Sequence, residues 1–328
     1  MSGRIELLRL MADGALHSGE ELAAALSVSR AAVWKRLQQL AEWGVALEAL
    51  PGRGYRLESP IDLLDATRIR AALPPVACDR LRHLEVHETL ASTSDHLLAV
   101  EDLPAGRFDA CLAEFQSAGR GRRGRHWVAP FASGLCLSLN WSYPDAPATL
   151  AALSLAAGVA SLRALGRLGV KGLALKWPND IVQDDRKLGG ILIDLRSEAA
   201  GPAYVVVGVG VNVRLPASAR ERLAIEGVRA VDLATLGEPP PRNALAAALI
   251  AELSTALVEY GARGMSAFAD EWRGADSLAG RTVAVLHGGQ MLEGCARGVD
   301  DDGALLLEVD GVPRRILSGE VSVRPVRC

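Results

Sequence analysis

Apolar positions recur at helical spacing from the start of the chain. Arg4–Ala12 carries a short amphipathic pattern that stops at Asp13 and Gly14. The run from Ser18 to Glu21 has the form of a capping box, in which the serine hydroxyl accepts from the Glu21 amide and the glutamate reaches back. A helix with Leu22 and Leu26 inward should follow. Ser29 is placed to cap a third helix, Arg30–Leu40, whose Val33, Leu37 and Leu40 fall on one face. That leaves Arg30, Lys35 and Arg36 for the outer surface. Two extended runs, Val45–Leu50 and Tyr55–Leu57, are joined by a turn at Pro51–Gly54. Helices followed by a basic hairpin predict a winged helix-turn-helix over residues 1–62.

The pattern then changes period repeatedly. After a linker, Glu58–Ala66, that leads into a helix, strands are predicted at Leu84–His87, Ala110–Phe115, Leu135–Trp141, Leu173–Lys176, Gly190–Leu195 and Tyr204–Val211. Helices fit Asp95–Glu101, Leu150–Leu168, Asn243–Tyr260 and Met265–Trp272. Adjacent strands that read as hairpins exclude a regular βαβ repeat, so residues 63–275 are expected to form an α+β domain with a mixed sheet flanked by helices. From residue 276 to 328, short strands alternate with Gly and Asp turns, the pattern of a small SH3-like β-barrel. The chain as a whole reads as an α+β multidomain protein.

Charge changes the picture locally, not globally. A net charge of −3 over 328 residues argues against a general polyanion binder, so any nucleic-acid contact must be a patch. Three small helices could be a mere packing or dimerisation module. The basic residues favour DNA: Ser29, Arg30, Trp34 and Lys35 would approach base edges in the major groove, and Arg53 and Arg56 would hold phosphates. A module with so few charges binds weakly, which implies a homodimer on two half-sites. No basic-then-apolar leader opens the chain, and the uncharged run Ala146–Leu162 is short of the ~20 strongly apolar residues of a spanning helix. No membrane partner is therefore expected. Cys78, Cys111, Cys136, Cys295 and Cys328 are odd in number and lack a C-x-x-C pair, which suits unpaired thiols in a reducing cytoplasm.

The candidate chemistry sits in the middle. Gly119, Gly121 and Gly124 fit the dinucleotide pattern G-x-G-x-x-G, but Pro130 and Gly134 stand where its helix should open. A P-loop is absent too. Glycines interleaved with Arg120, Arg122, Arg123 and Arg125 instead describe a loop dense in donors, able to close on an anion or to contact RNA. In "KWPNDIVQDDRKLGGILID", Asn179 and Asp180 occupy a turn and Asp184–Lys187 a charged hairpin tip, both also common as plain turns. In "VVVGVGVNV", Gly208 and Gly210 suggest close approach of a backbone or ligand, or a simple kink. His83, His87 and Glu88 have metal-like spacing without an obvious third ligand, so no metal site is expected.

Taken in order, "EFQSAGRGRRGRHW", "KWPNDIV" with "DRKLGGILID", and "GVGVNV" resemble the biotin–protein ligases, and the flanking domains resemble those of the bifunctional ligase–repressor type. "GRGYRL" and "RNALAAALI" support the same match. The resemblance implies an ATP-dependent ligase with Mg²⁺: biotin's carboxylate attacks the α-phosphate to give biotinyl-5′-AMP and pyrophosphate, then a lysine of a biotin carboxyl carrier protein of acetyl-CoA carboxylase displaces AMP. It also implies repression at an operator DNA. Ser92, Thr93 and Gln116 would hold the biotin ureido ring. Arg120, Gly121 and Arg122 would close over biotin and phosphate, with Trp127 as an apolar wall. Lys187 would stabilise developing charge, Asp180 would orient it or the incoming lysine, and Asn179 and Asn212, beside Gly208, would contact the adenylate. Two departures stand out. Ser94 replaces the family's usual Asn, and the segment 214–228 lacks the aromatic that packs on the adenylate in repressor members. A biotin-sensing transcription factor without ligase activity and a lipoate-type ligase remain open alternatives.

Overall fold

The computed structural model describes residues 3–145, 150–197, 202–287, 289–317 and 320–327. The first unit comprises α1 (Gly3–Met11), α2 (Gly19–Ala25), α3 (Arg30–Ala41) and a hairpin of β1 (Leu47–Leu50) and β2 (Gly54–Leu57). The capping box forms: Glu21 N donates to Ser18 Oγ at 3.1 Å and Ser18 N to Glu21 Oε2 at 2.9 Å. Val33, Leu37 and Leu40 close a small core with Leu7, Leu8 and Met11. Arg36 departs from the expected outward position. Its guanidinium donates to Gly3 O at 3.2 Å, in space left by the missing side chain of Gly3. The bond ties α3 to the first turn of α1.

The central unit runs through α4 (Ala66–Ala71), α5 (Pro75–Arg80), β3 (Leu81–Leu90), α6 (Thr93–Leu98), β4 (Phe108–Gln116), β5 (Gly134–Tyr143), α7 (Leu153–Arg167), β6 (Ala174–Lys176), β7 (Asp180–Gln183), β8 (Arg186–Ser197), β9 (Ala203–Asn212), α8 (Ala217–Ile225), α9 (Leu233–Leu236), α10 (Arg242–Arg263) and α11 (Ala269–Ala275). Its seven strands lie in the order β3-β4-β5-β9-β8-β7-β6, with β3 and β4 parallel and the other pairs antiparallel. This is the mixed sheet that the sequence predicts. Side chains alternate across it. Val205, Val207, Val209 and Val211 face a core built on α7 and α10, while Cys136, Ser138, Gly208 and Gly210 turn to the other face, where α6 lies.

Three helices escape the sequence reading, α5, α8 and α9. The first two start from a proline N-cap without a side-chain cap, so the usual Ser, Thr, Asp or Asn signal is missing. The third is only four residues long, capped by Asp232. The helix expected at Met265–Trp272 divides into a 3₁₀ turn, Gly264–Ala267, and α11. Of the uncharged run Ala146–Leu162, residues 146–149 lie outside the described ones, and the helix begins at Leu153. Among the described residues, one helix, Arg242–Ala267, has the length and apolarity to cross a membrane. Its Leu245, Leu249, Leu253 and Leu257 are buried in the core instead.

The last unit is a five-stranded antiparallel sheet, β10 (Arg281–His287), β11 (Gln290–Val299), β12 (Leu305–Val309), β13 (Val312–Ile316) and β14 (Glu320–Arg327), in the order β13-β12-β11-β10-β14. Val283, Val285, Leu305 and Leu307 join the central core, so the two units share one apolar interior. Trp177 Nε1 donates to Gly303 O at 3.0 Å across that junction. Arg281 grips Asp185 with two bonds of 2.8 Å, pinning the hairpin tip between β7 and β8. Cys78, Cys111 and Cys136 carry free thiols. Cys295 is disulfide-bonded, which departs from the expectation of unpaired thiols, and Cys328 lies outside the described residues.

The first unit docks on the loop that leads into β5. Trp43 stacks on Phe131 with ring centroids 4.9 Å apart, and Phe131 N donates to Trp43 O at 2.8 Å. Behind this contact, Arg242 and Glu114 form an ion pair of 2.7 Å with side chains 4% and 5% exposed. Arg242 also donates to Gly134 O at 2.7 Å and to Asp62 O at 2.8 Å, while Leu64 N donates to Glu114 Oε1 at 2.6 Å. Removing one member of such a pair strands a charge in the interior. Arg242→Met should therefore cost about 3–5 kcal/mol, measured by urea denaturation; a loss below about 1 kcal/mol would show the pair to be dispensable.

Candidate active site

A cavity of about 620 Å³ opens on the pocket face of the sheet. Every central residue to which the resemblance assigns a role lines it: Ser92, Thr93, Gln116, Arg120, Gly121, Arg122, Trp127, Asn179, Asp180, Lys187, Gly208 and Asn212. One end is neutral and buried. Ser92 caps α6, its Oγ accepting from Asp95 N at 3.3 Å. Thr93 donates to Gln116 Oε1 from its amide at 2.7 Å and from its hydroxyl at 3.1 Å. Thr93 Oγ1 and Ser94 Oγ both reach Ser138 Oγ, at 2.8 and 3.0 Å. Ser138 is a site residue that the sequence reading missed. Its signal was a hydroxyl set between Leu137 and Leu139 in β5.

Two glycines shape the floor for different reasons. A Cβ on Gly208 would stand 2.7 Å from Ser94 Oγ, and one on Gly210 would meet the Trp127 ring at 2.4–2.9 Å. The close approach expected of this pair is thus to side chains of the site. Trp127 lies flat over β9 as the apolar wall, with Lys187 Nζ 5.8 Å from its ring centre. Burial pushes the Cys136 thiol up to about 11, so it lines the cavity as a neutral group rather than a nucleophile.

The other end is cationic. Lys187 Nζ sits 2.6 Å from Asp180 Oδ1 across the β7–β8 hairpin. The backbone of Lys187 is held on both sides, its amide donating to Arg229 O at 2.7 Å and its carbonyl accepting from Val231 N at 2.9 Å. Asn212 donates to Val231 O at 3.0 Å, and Asn179 donates to Ile191 O at 2.7 Å. Each amide therefore presents its carbonyl oxygen, an acceptor, to anything in the cavity. Lys176, also missed from sequence, lines the same end. Burial holds its ammonium below the ordinary range, although Asp180 and Asp185 pull it up. An arriving anion would meet a cation with little competing solvent.

The arginine loop arches over these groups. Gly121 N donates to Arg125 O at 2.7 Å, and Arg122–Gly124 makes a single 3₁₀ turn with Arg123 in the left-handed region at φ 56°. Arg120 is spoken for by two carboxylates, with bonds of 3.1 and 2.8 Å to Asp194 and a contact of 2.7 Å to Asp95. Its side chain braces the root of the loop. The segment 214–228, read from sequence as a loop, contains α8. Leu215, Ala219 and Leu223 pack on Val128, and Leu223 reaches the cavity where an aromatic was missing. Asp232, wholly buried, fixes the end of this segment. Burial pushes its carboxyl up, but bonds from Thr235, Leu215 N and Arg220 outweigh that and hold it below the ordinary range.

On the first unit, Ser29 accepts from Ala32 N at 3.2 Å and caps α3. Arg30, Trp34 and Lys35 are exposed along that helix, and Arg53 and Arg56 are exposed on the hairpin. Two of these are paired in this structure, Arg30 with Glu20 at 3.0 Å and Arg56 with Glu48 at 2.6 Å.

The sequence matches the model of the biotin/lipoate A/B protein ligase family over residues 90–212, a helix-turn-helix domain over residues 5–56 and the biotin protein ligase C-terminal domain over residues 279–324. It is 40% identical over 321 residues to a bifunctional ligase/repressor BirA of Salmonella typhimurium, covering 98% of this chain and 97% of that protein. It is 36% identical to a biotin–[acetyl-CoA-carboxylase] ligase of Mycobacterium tuberculosis, covering 73% of this chain and 88% of that one. The biotin protein ligase of Aquifex aeolicus, solved with biotin and ATP, superposes with a TM-score of 0.61 at 26% identity, covering 76% of this chain and 99% of the other. With near full-length identity to a ligase/repressor and the same three domains in order, the chain belongs to the bifunctional biotin–protein ligase/repressor family.

Proposed function

We propose that this protein is an ATP-dependent biotin–protein ligase that also represses transcription of biotin synthesis genes, working in the cytoplasm, and that the cavity performs both chemical steps. The observation that carries the reading is the division of one cavity into a neutral hydrogen-bonding end, Thr93–Gln116–Ser138, and a cationic end, Lys187–Asp180 with Lys176, beneath an arginine loop. The ureido ring of biotin, with donors and an acceptor, suits the first end. Its carboxylate and the α-phosphate suit the second.

In the first step a carboxylate oxygen of biotin bonds to the α-phosphorus as the bond to pyrophosphate breaks. Two anions must be brought together, so fixed cations stabilise the approach and the charge that develops. Lys187 is held for this by its backbone bonds and by Asp180. Asn179 and Asn212 offer carbonyl oxygens that suit the amino group of adenine. Trp127 and Leu223 exclude water from the mixed anhydride, and Arg122 closes over it. In the second step a lysine amine of a biotin carboxyl carrier protein of acetyl-CoA carboxylase attacks the biotinyl carbonyl, and AMP leaves. Among the described residues, two carboxylates line the cavity, Asp180 and Glu226, which fits a Mg²⁺ held mostly by phosphates and water. When bound, the ion would neutralise charge on the triphosphate. The first unit binds DNA as a homodimer, with Ser29, Arg30, Trp34 and Lys35 toward bases and Arg53 and Arg56 on phosphates; Arg30 and Arg56 exchange Glu20 and Glu48 for the duplex.

The match to a biotin protein ligase C-terminal domain favours biotin over lipoate, the other substrate class of the wider family.

Transfer of labelled biotin to a carrier domain with ATP and Mg²⁺, competed by biotin and not by lipoate, is the expected result; no transfer would defeat the ligase reading. Lys187→Ala should lower the adenylation rate about 100-fold to 1000-fold while biotin affinity changes by less than about 10-fold; equal losses would argue against a role in the transition state. Arg122→Ala should speed escape of the adenylate by about 10-fold to 100-fold, the worth of one charge-assisted hydrogen bond. Unchanged escape in a stopped-flow chase would show that the loop does not gate the site.

A further inference from the structure

Under α6, on the same face of the sheet as the cavity but outside its lining, a second cluster of reactive side chains assembles. β3 and β4 run parallel with Glu85 opposite Cys111. Residues two apart on a strand share a face, so Glu85 and His87 point the same way, and His96 descends on them from α6. One carboxylate oxygen of Glu85 lies 2.8 Å from His87 Nε2 and 3.0 Å from His96 Nε2. The two imidazoles stand edge to face at 4.9 Å. Ligand atoms of His87, His96 and Cys111 all lie within 4.8 Å of one another. None of the four residues lines the cavity.

We propose that Glu85, His87, His96 and Cys111 form a binding site for Zn²⁺. A thiolate, two imidazoles and a carboxylate are a borderline-soft donor set that favours zinc over magnesium or calcium. Zinc bonds of about 2.0–2.3 Å place tetrahedral donor atoms roughly 3.3–3.8 Å apart. His87, His96 and Cys111 lie within 4.8 Å of one another and Glu85 lies against both imidazoles, so binding asks the side chains to close by about 1 Å or more. The surroundings also suit a metal. Cys111 is buried beside Leu97, Tyr204 and Val206, which keeps the sulfur side dry. Glu85 and His87 are partly exposed on β3, the outermost strand, which leaves a path of entry. The sequence alone pointed to other partners for His87. His83 is instead taken by Asp109, at 2.9 Å, and Glu88 follows the opposite face of the strand. An ion here would tie α6, which presents Thr93 and Ser94 to the cavity, to two strands of the sheet.

The test uses the full chain, stripped of metal by a chelator, with Co²⁺ as a spectroscopic probe and Zn²⁺ as competitor. One Co²⁺ per chain is expected, with a thiolate-to-metal charge-transfer band that Zn²⁺ abolishes. The thermal midpoint should rise with Zn²⁺, since the ion binds the folded state. Cys111→Ser should remove the band, which distinguishes it from Cys78 and Cys136. His87→Gln and His96→Gln should each weaken Zn²⁺ binding by about 10-fold or more, since loss of even an outer-sphere partner costs that much. No band in the unsubstituted protein, or Zn²⁺ affinity unchanged in the paired histidine variant, would overturn the site and leave a hydrogen-bonded triad. Should Cys111→Ser fail to fold, as judged by circular dichroism, the partly exposed histidines carry the test alone. These outcomes do not depend on ligase activity.

Discussion

A charge cannot be left alone in an apolar interior, and the pairing of Arg242 with Glu114 decides where four separate segments meet. Glu114 lies near the end of β4, two residues before Gln116 of the cavity. Gly134, whose carbonyl Arg242 also holds, lies two residues before Cys136 on β5. Asp62 and Leu64 bring the incoming linker to the same point, and Arg242 itself opens α10. The pair is stable only while all these neighbours supply its remaining hydrogen bonds. The neutral end of the cavity is therefore built on strands whose ends are fixed by an electrostatic requirement some residues away.

The cationic end depends on a different support. The β7–β8 hairpin that carries Lys187 is gripped at its tip by Arg281 of the last unit, which holds the Asp185 carboxyl below its ordinary range. The backbone of Lys187 is enclosed by residues 229–231, and that segment ends on buried Asp232. The small C-terminal sheet contributes its apolar side chains to the common core and one arginine to the placement of Lys187, so it is continuous with the central unit.

Much of this was legible in the sequence, where local signals are strong. Capping at Ser18 and Ser29 and the positions of the apolar strands β4, β5 and β9 express short-range physics and were read from the sequence. What was not legible depended on distant partners. α5 and α8 begin at prolines without a polar cap, so their stability comes from packing. Arg36 turns inward because a glycine 33 residues away leaves it room. Arg120 resembles its neighbours in sequence, yet Asp95 and Asp194 single it out as a brace. Ser138 and Lys176 become site residues through the register of strands that meet only in the folded chain. The same holds for the histidine, cysteine and glutamate cluster, whose members come from three elements.

The stacking of Trp43 on Phe131 has a bearing on how the two halves of the molecule exchange information. Trp127, the wall of the cavity, and Phe131, the seat of the helix-turn-helix unit, are joined by three intervening residues, and the chain enters β5 directly afterwards. So short a tether gives little slack. If an occupant of the cavity displaces Trp127, the shift must either distort Val128–Pro130 or reach the seat of the DNA-binding unit. Free-energy coupling of this kind is reciprocal: to whatever extent the occupant alters the affinity for an operator, the operator alters the retention of the occupant by the same factor. A four-residue reach of chain would then let the cavity and the duplex each sense the other, with no contact between them.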